Sequence, residues 1–178
     1  MVTFFETPTD APIARELLGE YIAERVATRP ASAEPYQPPQ PTPAQFVPPH
    51  GIFLVGGEDA LAIVAASAHS RGADQALCCG GIRAIEPGTE WVDDGFGGQR
   101  WFELKHLYTR PAARGRGIAG RLIAELTEAA RRFGADRLVL DTHSSLSSAG
   151  HLYESAGFRA IPRFNDNSNA DRWFGKAL

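Results

Sequence analysis

Residues 101–134, WFELKHLYTRPAARGRGIAGRLIAELTEAARRFG, restrict what this chain can fold into more than any other stretch. An apolar and aromatic run of strand length ends at a proline, passes through a loop of arginines and glycines, and enters a segment of helical period that stops at Gly134. A strand that feeds a glycine-rich loop at a helix start is an anion-binding arrangement. The N–H groups of the first helical turn have no partner within the helix, the helix dipole makes that end electropositive, and glycines let a phosphate approach the main chain. Arg110, Arg114, Arg116 and Arg121 add charge at the same place. The stretch predicts a site for a phosphate-bearing ligand.

Two fingerprints overlap on these letters. Gly115, Gly117 and Gly120 satisfy GxGxxG, and Asp136 and Asp141 lie at about the distance at which a dinucleotide-binding fold keeps its ribose-binding acid. A dinucleotide fold normally runs its first strand straight into the glycines and then needs several more βα units. Here residues 109–114 intervene, and only about a third of the chain remains. The same stretch resembles the acetyl-CoA signature R/QxxGxG/A of the GCN5-related N-acetyltransferase (GNAT) superfamily, with Arg114, Gly117 and Ala119 in its three places. Downstream, Ala149, Leu152-Tyr153-Glu154 and Gly157-Phe158 resemble the second signature of that superfamily, AxxLYExxGF. Leu146 departs from the pattern, because many members carry asparagine ahead of this motif. Two motifs in the right order favour the acetyltransferase over the dinucleotide reading.

The resemblance implies a fold and a site. The fold is α/β: one N-acetyltransferase domain over residues 1–178, a mixed, mostly antiparallel sheet with a central splayed parallel strand pair and flanking helices. The cosubstrate is acetyl-CoA. Main-chain N–H groups of Leu107, Tyr108 and Thr109 are expected to hold the pantetheine arm and polarise the thioester carbonyl. Arg114, Gly115, Arg116, Gly117, Ile118, Ala119 and Gly120 are expected to cradle the pyrophosphate. Tyr153 stands in the tyrosine place of the second motif, as general acid for the departing thiolate. A phenol suits that task, since its ordinary pKa of about 10 keeps it protonated at neutral pH. Glu103, on the central strand just before the expected slot, is the candidate base, with His106 and Asp141 as rivals. The implied reaction moves an acetyl group to the primary amine of a small molecule by direct attack in a ternary complex. A noncatalytic acetyl-CoA-binding module and an NAD(P)-binding oxidoreductase stay open as alternatives.

The rest of the chain fits around this unit. Its length of 178 residues suits one domain, and a net charge of −3 leaves no nucleic-acid footprint. No apolar run approaches membrane-spanning length and the N-terminus lacks the basic start of a secretion signal, so a cytoplasmic monomer or homodimer is expected. Cys78 and Cys79 are adjacent, with no metal-ligand spacing around them, and read as small buried strand residues. None of the histidines 50, 69, 106, 143 and 151 shows metal-ligand spacing, and the Asp141, His143 and serine grouping lacks a GxSxG elbow.

Residues 1–6 read as a first strand, followed by a helix capped by Asp10 with Pro12 in its opening turn. Eight of the thirteen prolines fall between residues 30 and 49, which predicts an extended loop over about 29–50. The apolar runs 52–55, 61–66 and 76–85 read as an antiparallel meander, and 86–100 as a loop. In 101–108 the apolar parity shifts between Leu104 and Leu107, as a bulge would require. A helix over 117–133, a strand at 138–140, a serine-capped helix to Gly157, and strands 158–161 and 172–178 complete the expectation.

Overall fold

The computed structural model describes residues 1–29, 41–69, 75–86 and 100–178. In chain order the elements are β1 (Thr3–Glu6), α1 (Pro12–Ala27), β2 (Gly51–Gly57), α2 (Ala60–His69), β3 (Ala76–Ile85), β4 (Trp101–Thr109), α3 (Ile118–Arg132), β5 (Arg137–Thr142), α4 (Ser147–Ser155), β6 (Arg159–Ile161) and β7 (Arg172–Ala177). The strands make one seven-stranded sheet in the order β1-β2-β3-β4-β5-β7-β6. Strands β4 and β5 run parallel and every other neighbouring pair is antiparallel, which is the mixed α/β sheet the sequence implies. This topology leaves little room for a dinucleotide fold, since the strand that enters the glycine loop has an antiparallel neighbour, β3, on its other side.

Alternation along the strands divides the core. Ile52, Leu54, Cys78, Ile82, Phe102, Leu104, Leu138 and Leu140 share one face with Ile118, Leu122 and Leu126 of α3. Phe53, Val55 and Cys79 point the other way and meet Ile13 and Leu17 of α1 and Ile63 of α2. Each such aliphatic or aromatic side chain contributes roughly 1.5–3 kcal/mol on burial, so the helices on both faces hold β4 in place from either side. Cys78 and Cys79 are buried free thiols, as expected, and burial pushes the Cys78 thiol up to about 12.

Three expectations are corrected. The run 61–66 is not a strand: Asp59 accepts the Ala62 N–H through Oδ1 at 3.0 Å, caps α2 and starts a helix in the alanine-rich segment that follows. Helix α1 begins one residue later than expected, with Ala11 rather than Asp10 at its N-cap and no side-chain cap, although Pro12 does open it. Helix α4 has Leu146 at its N-cap, not a serine. Ser144 instead gives its N–H and its hydroxyl to Asp171, at 2.6 and 2.5 Å, and so ties the end of β5 to the start of β7.

The expected bulge is present. Cys79 pairs with Tyr108 but Gly81 pairs with Lys105, so Gly80 faces two residues of β4, His106 and Leu107. His106 takes a positive φ of 55°, which is uncommon outside glycine. Of the proline-rich segment, residues 30–40 lie outside the described residues. Its end forms a 3-10 turn, Pro43–Phe46, whose Phe46 is buried against Phe53. Residues 87–99 of the expected loop 86–100 also lie outside the described residues. Among the described residues, no helix is long and apolar enough to cross a membrane.

Candidate active site

The β4–β5 ladder is short. It pairs Trp101, Phe102 and Glu103 with Arg137, Leu138 and Val139, and then the strands part. Beyond that point β5 stays paired with β7 and β4 with β3, so among the described residues the β5-facing edge of β4 from Leu104 onward carries no strand partner. The gap opens into a cleft of about 890 Å³, walled by β4, the start of α3, α4, the loop 165–169 and Tyr21 of α1. Of the residues expected at the site, Arg116 does not line it, and neither do Arg110, which is paired with Glu16 and Glu20, and Arg121, which donates to the Val2 carbonyl.

One end of the cleft is built for an anion. Gly115 and Gly117 have φ of 76° and 72°, and Gly117 is the N-cap of α3 with no side chain bonded to the free N–H groups behind it. A Cβ placed on Gly115, Gly117 or Gly120 would meet no atom within 4 Å, so this helix start faces open space. The first turn of α3 holds no acidic residue, and its dipole therefore acts on the cleft without local opposition. Arg114 gives Nε to the Thr109 carbonyl at 3.0 Å and Nη2 to both oxygens of Glu24 at 2.7 and 2.6 Å. Arg116 is held by Glu58. Ile118 is buried, and Leu107 packs against the same core. Thr109 Oγ1 is buried without a hydrogen-bond partner among the described residues. An orphaned hydroxyl, open glycines and an uncapped helix start fit a pyrophosphate and the polar arm attached to it.

The other end is polar and fully wired. Glu103 is 2 % exposed. Its Oε2 accepts Nε and Nη2 of Arg83 at 2.9 and 2.8 Å, and its Oε1 accepts Lys105 Nζ at 3.1 Å and Asn165 Nδ2 at 3.2 Å. Asp141, across the splay on β5, accepts Asn165 Nδ2 at 2.6 Å, Asn167 Nδ2 at 3.0 Å and the Lys105 ammonium at 3.4 Å. Burial alone would lower the Lys105 pKa, but the Glu103 and Asp141 carboxylates together hold it above its usual value. Lysine 105 thus spans the mouth of the splay as a cation, and the asparagines pin the 165–169 loop over it.

Tyr153 and His106 also line the cleft. Tyr153 is buried against Phe158 and Phe174, and no described residue hydrogen-bonds its hydroxyl. Burial first and the Asp141 carboxylate second push that hydroxyl up to about 12, so it carries a proton at neutral pH. Tyr108 also lines the cleft, but its hydroxyl donates to Glu20 at 3.3 Å. His106 packs its ring on Tyr21 and Phe46, and neither ring nitrogen is bonded among the described residues. Burial, with Lys105 and Arg83 nearby, lowers its pKa to about 4 and keeps the imidazole neutral.

Residues 28–158 match the model of the acetyltransferase (GNAT) family, which is well over half of the chain. The chain belongs to this family. An uncharacterized N-acetyltransferase of Schizosaccharomyces pombe, C1271.07c, is 32 % identical over 123 residues, which cover 69 % of this chain and 61 % of that protein. The aligned part thus spans about three fifths of that relative's length. The fold also recurs in a GNAT-family acetyltransferase from Staphylococcus aureus, with a TM-score of 0.62 and 16 % identity over 100 % of this chain and 99 % of that one. A chain of the NatC complex bound to Gag peptide and CoA matches with a TM-score of 0.59 and 15 % identity, over 99 % and 98 % of the two chains.

Sequence reasoning missed Arg83, Lys105, Asn165 and Asn167. The signal was there for two of them: Arg83 sits inside the apolar run GGIRAI and Lys105 between Leu104 and His106. A charge inside a strand with buried neighbours must find a partner nearby: Arg83 finds Glu103 on the next strand, and Lys105 finds Asp141 on the next strand as well as Glu103 on its own.

Proposed function

We propose that this protein moves an acetyl group from acetyl-CoA to the primary amine of a small molecule, by direct attack within a ternary complex. The observation that carries the reading is the presence, in one cleft, of an open helix start suited to pyrophosphate and a protonated phenol with no hydrogen-bond partner among the described residues. Acetyl-CoA would supply the activated thioester. Arg114, the 115–120 main chain and Thr109 would hold its phosphates and arm, and the open edge of β4 at Leu107, Tyr108 and Thr109 would offer N–H groups to the carbonyl oxygen as charge develops there.

The chain's own side chains then move the protons. The amine lone pair forms the new C–N bond, the C–S bond breaks, and Tyr153 gives its proton to the departing sulfur. The proton lost by the nitrogen needs an acceptor. Glu103 would have to give up a donor to take it, whereas His106 is neutral and unbonded. We therefore assign the proton acceptor to His106 and give Glu103 the task of fixing Arg83 and Lys105. Transfer from His106 back to Tyr153 through water restores both groups.

Two measurements test this. Calorimetric titration is expected to give micromolar or tighter binding of acetyl-CoA and none of NADP; binding of NADP alone would sink the reading. His106→Asn keeps a residue that tolerates positive φ and removes the base, so kcat is expected to fall by about 10²-fold with acetyl-CoA affinity unchanged. In the wild type the acid limb of kcat belongs near pH 4, where His106 gains its proton as the pH falls. A His106→Asn protein of undiminished kcat returns the role to Glu103.

A further inference from the structure

We propose that the wall of the cleft opposite the anion-binding helix start is a carboxylate subsite, and that Arg83 receives the carboxylate of an amino-acid-like acceptor. This rests on the reading of the cleft as an acyl-acceptor site. The argument is a count of hydrogen-bonding capacity. A carboxylate offers about four lone-pair positions. Glu103 fills them with Arg83 Nε and Nη2, Lys105 and Asn165. Asp141 fills its own with Lys105 on both oxygens, Asn165 and Asn167. Among the described residues, the other two carboxylates that line the cleft, Glu24 and Asp166, are paired with Arg114 and Arg163. A substrate ammonium entering here meets acceptors that are already taken.

Donors, by contrast, are left over. Arg83 uses Nε and Nη2 on Glu103, and its Nη1 donates to nothing among the described residues. Its side chain is 27 % exposed. Glu103 locks one edge of the guanidinium plane in place, so the remaining N–H groups are held ready, and a planar fork of this kind suits a carboxylate better than an ammonium does. An acceptor with a carboxylate at one end would anchor there and project its amine along β4 toward Tyr153 and the thioester.

The test compares each of a series of L-α-amino acids and ω-amino acids with its own carboxamide, by calorimetry on the protein saturated with CoA and on the free protein. At least one acid is expected to bind ten-fold or more tightly than its carboxamide. Arg83→Gln is expected to cut that preference to about three-fold or less with acetyl-CoA affinity unchanged, and Arg83→Lys to keep part of it. Carboxamides that bind as well as the acids, or a series in which neither form binds, overturn the subsite. If Arg83→Gln does not fold, the wild-type comparison and Arg83→Lys still decide the matter. Failure of acetyl-CoA to bind condemns the acetyltransferase reading separately, and the acid-against-amide comparison on the free protein still judges the subsite.

Discussion

Tyr153→Phe is expected to lower kcat by about 10²–10⁴-fold, the range that a positioned general acid supplies, while leaving acetyl-CoA affinity and thermal stability close to those of the wild type. The ring makes the packing contacts, with Phe158 and Phe174, and phenylalanine keeps the ring. The hydroxyl makes no hydrogen bond to any described residue, so its removal leaves no buried partner unsatisfied. Loss of the oxygen therefore separates chemistry from folding more cleanly than at most buried tyrosines. The wild type should show no alkaline fall assignable to this group below about pH 12, because burial and Asp141 keep it protonated to that point. Stopped-flow or thiol-trapping assays with acetyl-CoA and an accepted amine measure kcat, and calorimetry measures affinity. A variant within about three-fold of wild-type kcat, with affinity intact, would show that the thiolate takes its proton from elsewhere. A protein that binds acetyl-CoA and acetylates nothing would instead fit a noncatalytic module.

Much of this arrangement was legible in the sequence because local physics decides it. The 101–134 stretch sets β4, the glycine turn and α3 through strand-length apolar spacing, positive-φ glycines and a helical apolar stripe, and each is visible within a few residues. The parity shift between Leu104 and Leu107 marked the bulge for the same reason. The error at 61–66 shows where local reading fails. A short run of Leu, Ile, Val and Ala satisfies both a strand and a helix, and one hydrogen bond, from the Ala62 N–H to Asp59 Oδ1, separates them. The acceptor wall was hidden for a different cause. Arg83, Glu103, Lys105, Asp141 and Asn165 come from three strands and a late loop, and only the tertiary pairing of β3, β4 and β5 brings them together. That is also why Glu103 reads as a candidate base from its place in the strand, while the folded chain gives it four hydrogen bonds, as many as Asp141.

Gly117→Glu should abolish measurable acetyl-CoA binding, with a loss on the order of 100-fold or more, about 2.7 kcal/mol. Two effects act together. The backbone at residue 117 sits at φ 72°, where an L-residue costs roughly 1–2 kcal/mol in strain. The new carboxylate would also stand at the N-terminus of α3, where the dipole attracts it and where a phosphate needs to go. Gly117→Ala separates the two. Its Cβ meets no atom within 4 Å, so it carries the strain without a clash or a charge. Alanine is expected to cost about the same stability as glutamate but to keep acetyl-CoA affinity within roughly ten-fold of wild type. If both variants lose binding equally, the left-handed backbone itself shapes the cradle and charge is secondary. If Gly117→Glu binds acetyl-CoA as the wild type does, the pyrophosphate does not lie on this helix start, and the cofactor end of the cleft has to be sought along β4 instead.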